Sequence, residues 1–131
     1  MLLPLAIASC GGDDDEPQTN TTKDPDGTVL VNVNLGSDTY ASGCRIYLGK
    51  DYNLSGNYPV SIVGPVKGIG SISVTSSQVD GLTWTTYAAA QVGYGYIFRG
   101  RHEYYAVYVD SEIGSTSGGV MGYTLKVRKI L

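Results

Sequence analysis

Along Thr28-Val29-Leu30-Val31-Asn32-Val33-Asn34-Leu35 the side chains alternate, with Val29, Val31, Val33 and Leu35 on one face and Asn32 and Asn34 on the other. A period of two places every second residue on the same side of an extended chain, so this segment predicts a half-buried strand. Gly36-Ser37-Asp38 is turn chemistry, and residues 44–48 form a short strand with Ile46 and Leu48 inward. Residues 49–57 read as a loop, and residues 60–63 as a strand that stops at Gly64-Pro65. Residues 69–74 and 92–99 are further strands, whose glycines imply a close backbone approach or a bulge; in the second, Val92, Tyr94, Tyr96 and Phe98 share a face. Residues 104–110 place Tyr105, Val107 and Val109 together, and residues 120–127 do the same for Met121, Tyr123, Leu125 and Val127. Between them Gly114-Ser115-Thr116-Ser117-Gly118-Gly119 is a turn or loop. Residues 82–92, through Ala88-Ala89-Ala90, are the one candidate for a turn or two of helix. About seven short strands at near-regular spacing predict an all-β domain, a compact antiparallel β-sandwich or, as the alternative, a small β-barrel.

The alternation is absent from the first 26 residues. Met1-Leu2-Leu3-Pro4-Leu5-Ala6-Ile7-Ala8-Ser9-Cys10 is an apolar run closing in two small residues and a cysteine, the layout of a lipoprotein signal peptide in which the thiol takes the lipid. The run is too short to span a bilayer, which needs about 20 apolar residues. It lacks the basic residues usual at the front of such a signal, which places the expected start upstream. Residues 11–26 contain no large apolar side chain and cannot offset the cost of ordering, so they predict a disordered linker. Sixteen such residues have an end-to-end distance of about 20–24 Å, enough to hold a domain clear of lipid headgroups. Asp13-Asp14-Asp15-Glu16 serves as a solvated spacer; it also resembles the acidic signal that marks Bacteroidetes lipoproteins for the outer face of the outer membrane. The organisation expected is therefore a signal at residues 1–9, lipidated Cys10 with its linker at residues 10–26, and a single β domain at residues 27–131.

Composition alters this picture in two places. Of the twelve acids, six lie in the tail, so the domain carries eight Lys and Arg against six Asp and Glu, and the low overall pI belongs to the tail. No nucleic-acid footprint results. If Cys10 carries lipid, Cys44 has no partner, a disulfide framework is excluded, and the thiol is expected to be buried and inert. Eighteen glycines and eleven tyrosines favour tight turns and strands with amphipathic rings.

The order Gly27-Thr28-Val29, Arg45-Ile46-Tyr47-Leu48, Val66-Lys67-Gly68-Ile69-Gly70-Ser71-Ile72, Gln91-Val92-Gly93-Tyr94-Gly95-Tyr96, Tyr105-Ala106-Val107-Tyr108-Val109 and Gly118-Gly119-Val120-Met121-Gly122 resembles a family of gut Bacteroidetes lipoproteins classed as a domain of unknown function. The resemblance spans nearly the whole domain. It is carried by glycine turns and apolar strand positions, so it implies a fold and transfers no catalytic or binding residue.

Candidate chemistry is sparse. His102, Asp110 and Ser117 occur in the order of one class of serine proteases, but a triad needs one cleft and an oxyanion hole, and the domain is too small for the two barrels of that class. Glu103, Asp110 and Glu112 could supply a glycosidase pair, with Asp110 and Glu112 on one face if the strand continues that far. One histidine and scattered carboxylates match no metal-ligand spacing, and Gly68-x-Gly70 and Gly93-x-Gly95 lack the rest of a nucleotide loop, so no cofactor is expected. Lys126, Arg128 and Lys129 read as a solvated edge that discourages strand pairing. What remains is rings with polar tips: Trp84, Tyr87, Tyr94, Tyr96, Tyr104 and Tyr108, either core and sheet filling or a binding patch, with Trp84 among threonines the one expected to be most exposed. The expectation is a non-enzymatic lipid-anchored surface protein of the outer membrane that binds a glycan or protein. An accessory subunit of an envelope complex is the alternative, and a small hydrolase or hydrolase inhibitor the third reading.

Overall fold

The computed structural model of the chain describes residues 22–23, 27–114 and 116–131. The expected signal peptide, Cys10, the acidic cluster and most of the expected linker lie outside the described residues. Among the described residues ten strands form two antiparallel sheets. The larger has the order β1 (Thr22–Lys23), β2 (Val29–Asn34), β10 (Val120–Lys129), β9 (Tyr104–Gly114), β8 (Tyr94–Arg99) and β6 (Val60–Pro65); the smaller runs β3 (Ser37–Ala41), β4 (Cys44–Leu48), β5 (Asn53–Ser55) and β7 (Ala88–Ala89). The β6 and β7 edges approach each other and Val60 is bridged to Thr85, but among the described residues the two sheets remain separate, so the architecture is a sandwich and not a closed barrel.

The period-two pattern sets the packing. Val29, Val31 and Val33, Tyr123, Leu125 and Val127, Tyr105, Val107 and Val109, and Tyr96 and Phe98 line the inner face of the large sheet against Ala41, Cys44, Ile46, Leu48, Leu54 and Ala88. Asn32 and Asn34 point to solvent, as the alternation requires. Met121 departs from its expected face and is exposed, because the pairing of β10 with β9 shifts register between Val120 and Gly122. Gly122 is needed there: an added Cβ would collide with the Val33 carbonyl.

Four further expectations are corrected. Residues 69–74 are not a strand: Ile69–Ser71 is a single 3-10 turn, a second follows at Val79–Gly81, and Ile72 and Val74 pack against Ile97 and Ala106 on the outer face of the large sheet. The alternation here reflects one side of a loop seated on a sheet that is already full. Residues 82–92 contain no helical turn, since Ala88–Ala89 pairs with Asn53 and Leu54 as β7. Ser37 and Asp38, expected in a turn with Gly36, begin β3 (Ser37–Ala41), which joins β4 through Ser42 and Gly43 at φ 54° and 87°, the pair of positive values that a type I′ hairpin turn demands. Lys126, Arg128 and Lys129 likewise do not mark an edge, because β10 is central, flanked by β2 and β9. Arg128 Nη2 donates to the carbonyls of Ile69 (3.3 Å) and Ile72 (3.1 Å), fastening the covering loop to the sheet.

Candidate functional site

Residues 83–87, Thr-Trp-Thr-Thr-Tyr, pass where the two sheets come together, with a bridge at Thr85 and a bend at Thr86. Thr85 and Val60 exchange both backbone hydrogen bonds at 2.8 Å, which fixes the parity of the segment. Thr83, Thr85 and Tyr87, with Ile62 of β6, Asn53 of β5 and the β7 alanines, line an open groove of about 460 Å³. Trp84 falls on the other side. Its ring is half-buried in the outer cluster, 6.1 Å from the Tyr104 ring and beneath the Arg99 guanidinium at 5.0 Å, so it is not the exposed ring of the set.

The remaining rings sort by strand parity. Tyr96 is fully buried, and its hydroxyl donates to the Ala89 carbonyl at 2.6 Å while accepting the Gln91 N–H at 3.1 Å. Burial pushes its pKa up to about 12. Tyr94 leans on the inner core, and Tyr104 and Tyr108 on the outer cluster. Tyr87 alone among the six stands largely in solvent, 58% exposed, beside Ile62 at 50%. Among the described residues no charged side chain lines the groove; it offers a ring face, an apolar wall, two threonine hydroxyls and an amide. The sequence set of six rings contained Tyr87 but missed Thr83, Thr85, Asn53 and Ile62. The signal for the threonines was the alternation about Trp84, whereas Asn53 and Ile62 come from strands distant in sequence.

The structure separates the residues of the catalytic readings. His102 lies in the β8–β9 turn and Ser117 in the β9–β10 turn, at opposite ends of an eleven-residue strand, on the order of 35 Å apart at about 3.3 Å per residue. Asp110 and Glu112 do not share a face. The register of β9 against β10 shifts between Ser111 and Val109, leaving Asp110 as the extra residue of a bulge. Asp110 then approaches Lys126 Nζ (3.7 Å), while Glu112 pairs with core-facing Tyr123, whose phenol is raised by burial and next by that carboxylate. Cys44 is a buried free thiol, pushed up to about 12 by burial. Among the described residues no group of three His, Cys, Asp or Glu side chains gathers to hold a metal ion, and no helix is long and apolar enough to cross a membrane. Comparison with family models, curated proteins and solved structures returns no match to this chain.

Proposed function

We propose that the chain is a surface lipoprotein of the outer membrane, anchored through Cys10, whose sandwich is a non-enzymatic binding module, with a neutral glycan seated in the groove beside Tyr87. The observation that carries the reading is the groove's lining. An exposed phenol ring offers a flat apolar face to the C–H side of a sugar, and Thr83, Thr85 and Asn53 supply hydrogen-bonding groups at its border without any charge. The resemblance to gut Bacteroidetes lipoproteins and the signal-like first ten residues support the location. Probing a glycan array with the wild-type chain and Tyr87→Ala tests the function: binding of a neutral saccharide that the variant loses is expected, and no hit above background sinks it. Protease shaving of intact cells, with Cys10→Ala as control, tests the location; survival of the wild-type domain would place it inside the envelope.

One observation favours the accessory-subunit reading. β6 is the edge of the large sheet and exposes Ile62 and Val63 (50% and 41%), an apolar edge that a strand of another protein could extend. A stoichiometric protein partner co-purifying from membranes supports it, and a persistent free monomer opposes it.

A further inference from the structure

At the end of the sandwich near the first residues of β2, the β3–β4 turn, the β5–β6 loop and the β8–β9 turn converge around a cleft of about 260 Å³. Unlike the groove, this cleft is lined with charge: Arg45, Arg99, Arg101 and Glu103, with Asn57 and Tyr58 at its border. Its volume falls below the roughly 300–1,000 Å³ of sites that enclose drug-sized ligands, so it suits one small polar unit.

The cations differ in what they have left to offer. Arg99 is turned onto the Trp84 ring. Arg45 is held by its Nε side, which donates to Asp38 Oδ2 at 2.9 Å, with Nη1 at 3.5 Å from Asn57 Oδ1 and the guanidinium over the Tyr47 ring at 5.7 Å. Those contacts orient the guanidinium and leave the Nη2 N–H groups without a partner among the described residues. Arg101 makes no ion pair there at all, since Asp38 with Arg45 and Asp110 with Lys126 are the ion pairs present among the described residues. The acceptors are equally placed: Glu103 Oε1 accepts the Tyr105 hydroxyl at 3.3 Å and keeps its other oxygen for the cleft.

We propose that this cleft binds the carboxylate-bearing unit of an acidic saccharide, a uronate, between Arg45 and Arg101. The planar fork of an oriented arginine matches a carboxylate, and a second arginine adds charge. Glu103 and the Asn57 amide accept or donate to the hydroxyls of the same ring, and Tyr58, 42% exposed, offers it a face. That mixture suits a uronate better than a bare anion, because the hydroxyls of the sugar ring give Glu103 and Asn57 hydrogen-bonding partners that a bare anion lacks. The site shares no residue with the Tyr87 groove, so each can fail without the other.

The test follows the Gly43 and Gly100 amides of the full chain by two-dimensional NMR, during titration with galacturonate and glucuronate and, separately, with galactose and glucose. Saturable shifts with an acid, at least about tenfold stronger than with its neutral parent, are expected; Arg101→Gln and Arg45→Lys each weaken binding about tenfold, the loss of one charge-assisted pair. Circular dichroism melts confirm that Arg101→Gln stays folded, and Tyr87→Ala leaves the titration unchanged. Absence of saturable shifts overturns the proposal. So does equal response to neutral sugars or to inorganic phosphate, or binding to phosphatidylglycerol vesicles that moves these amides where uronates do not.

Discussion

The two faces of the large sheet are covered by different means. The inner face meets a second sheet, whose backbone groups are satisfied by their own pairing, and the contact is made by side chains in strict alternation on both sides. The outer face, over β8 and β9, is covered by residues 66–86, a loop with two single 3-10 turns that cannot satisfy itself in this way. It depends on particular fastenings: Ile72 seated over Gly95, and Arg128 reaching two loop carbonyls. A sheet covers a sheet through a repeated pattern, whereas a loop covers a sheet through a few specific contacts. Single substitutions should therefore act on the whole domain from the inner side and on the cover alone from the outer side.

The largest effect is expected on the inner side. Phe98→Ala removes a ring that is 1% exposed between the sheets and should cost about 3–5 kcal/mol in denaturant unfolding, lowering the transition for all probes together. Alkaline pH strikes the same region. Cys44 and Tyr96 are raised from 9.0 and 10.0 to about 12 by burial, so the unfolded chain releases these protons first. The neutral groups cost nothing below about pH 9, and stability falls as pH rises from 9 towards 12. Equilibrium unfolding across that range should show the decline, and in Cys44→Ala its onset should move to near pH 10.

On the outer side, Gly95→Ala places a Cβ 2.5 Å from Ile72 Cδ1 and should cost about 1–3 kcal/mol. Because Trp84 is the single tryptophan and belongs to the outer cluster, its fluorescence should change in this variant, while amide exchange of β2 and β10 remains slow. Arg128→Gln should cost about 1 kcal/mol and speed exchange in residues 66–86 selectively. Equal acceleration in both sheets would show that the cover and the inner core unfold as one unit. Tyr87→Ala, in the exposed groove, should change stability by less than about 0.5 kcal/mol while removing glycan binding.

Strands whose side chains alternate, β2, β9 and most of β10, were legible because burial on one face imposes a period of two that no other element produces. The short strands β5 and β7 were not, since three and two residues carry too little pattern to distinguish pairing from loop. β3 could have been found from Ser42-Gly43 followed by Cys44, the turn residues of a tight hairpin. Of the candidate groove, the ring of Tyr87 was legible. Its being exposed while Tyr96 is buried was not, because both are tyrosines in β-rich sequence and only the parity of each segment against its neighbours separates them.

By itself the sequence determined an all-β domain, the inner face of its main sheet, and a tail of opposite charge to that domain. These follow from local periodicity and composition, which depend only on neighbours in the chain. The tertiary structure decided which loop covers the outer face, that Arg128 fastens it, that a bulge parts Asp110 from Glu112, and that Thr83, Thr85 and Tyr87 share a groove with Ile62 and Asn53. Each of these depends on register between segments far apart in sequence, and a one-residue shift in register, invisible in composition, sends a side chain to the opposite face.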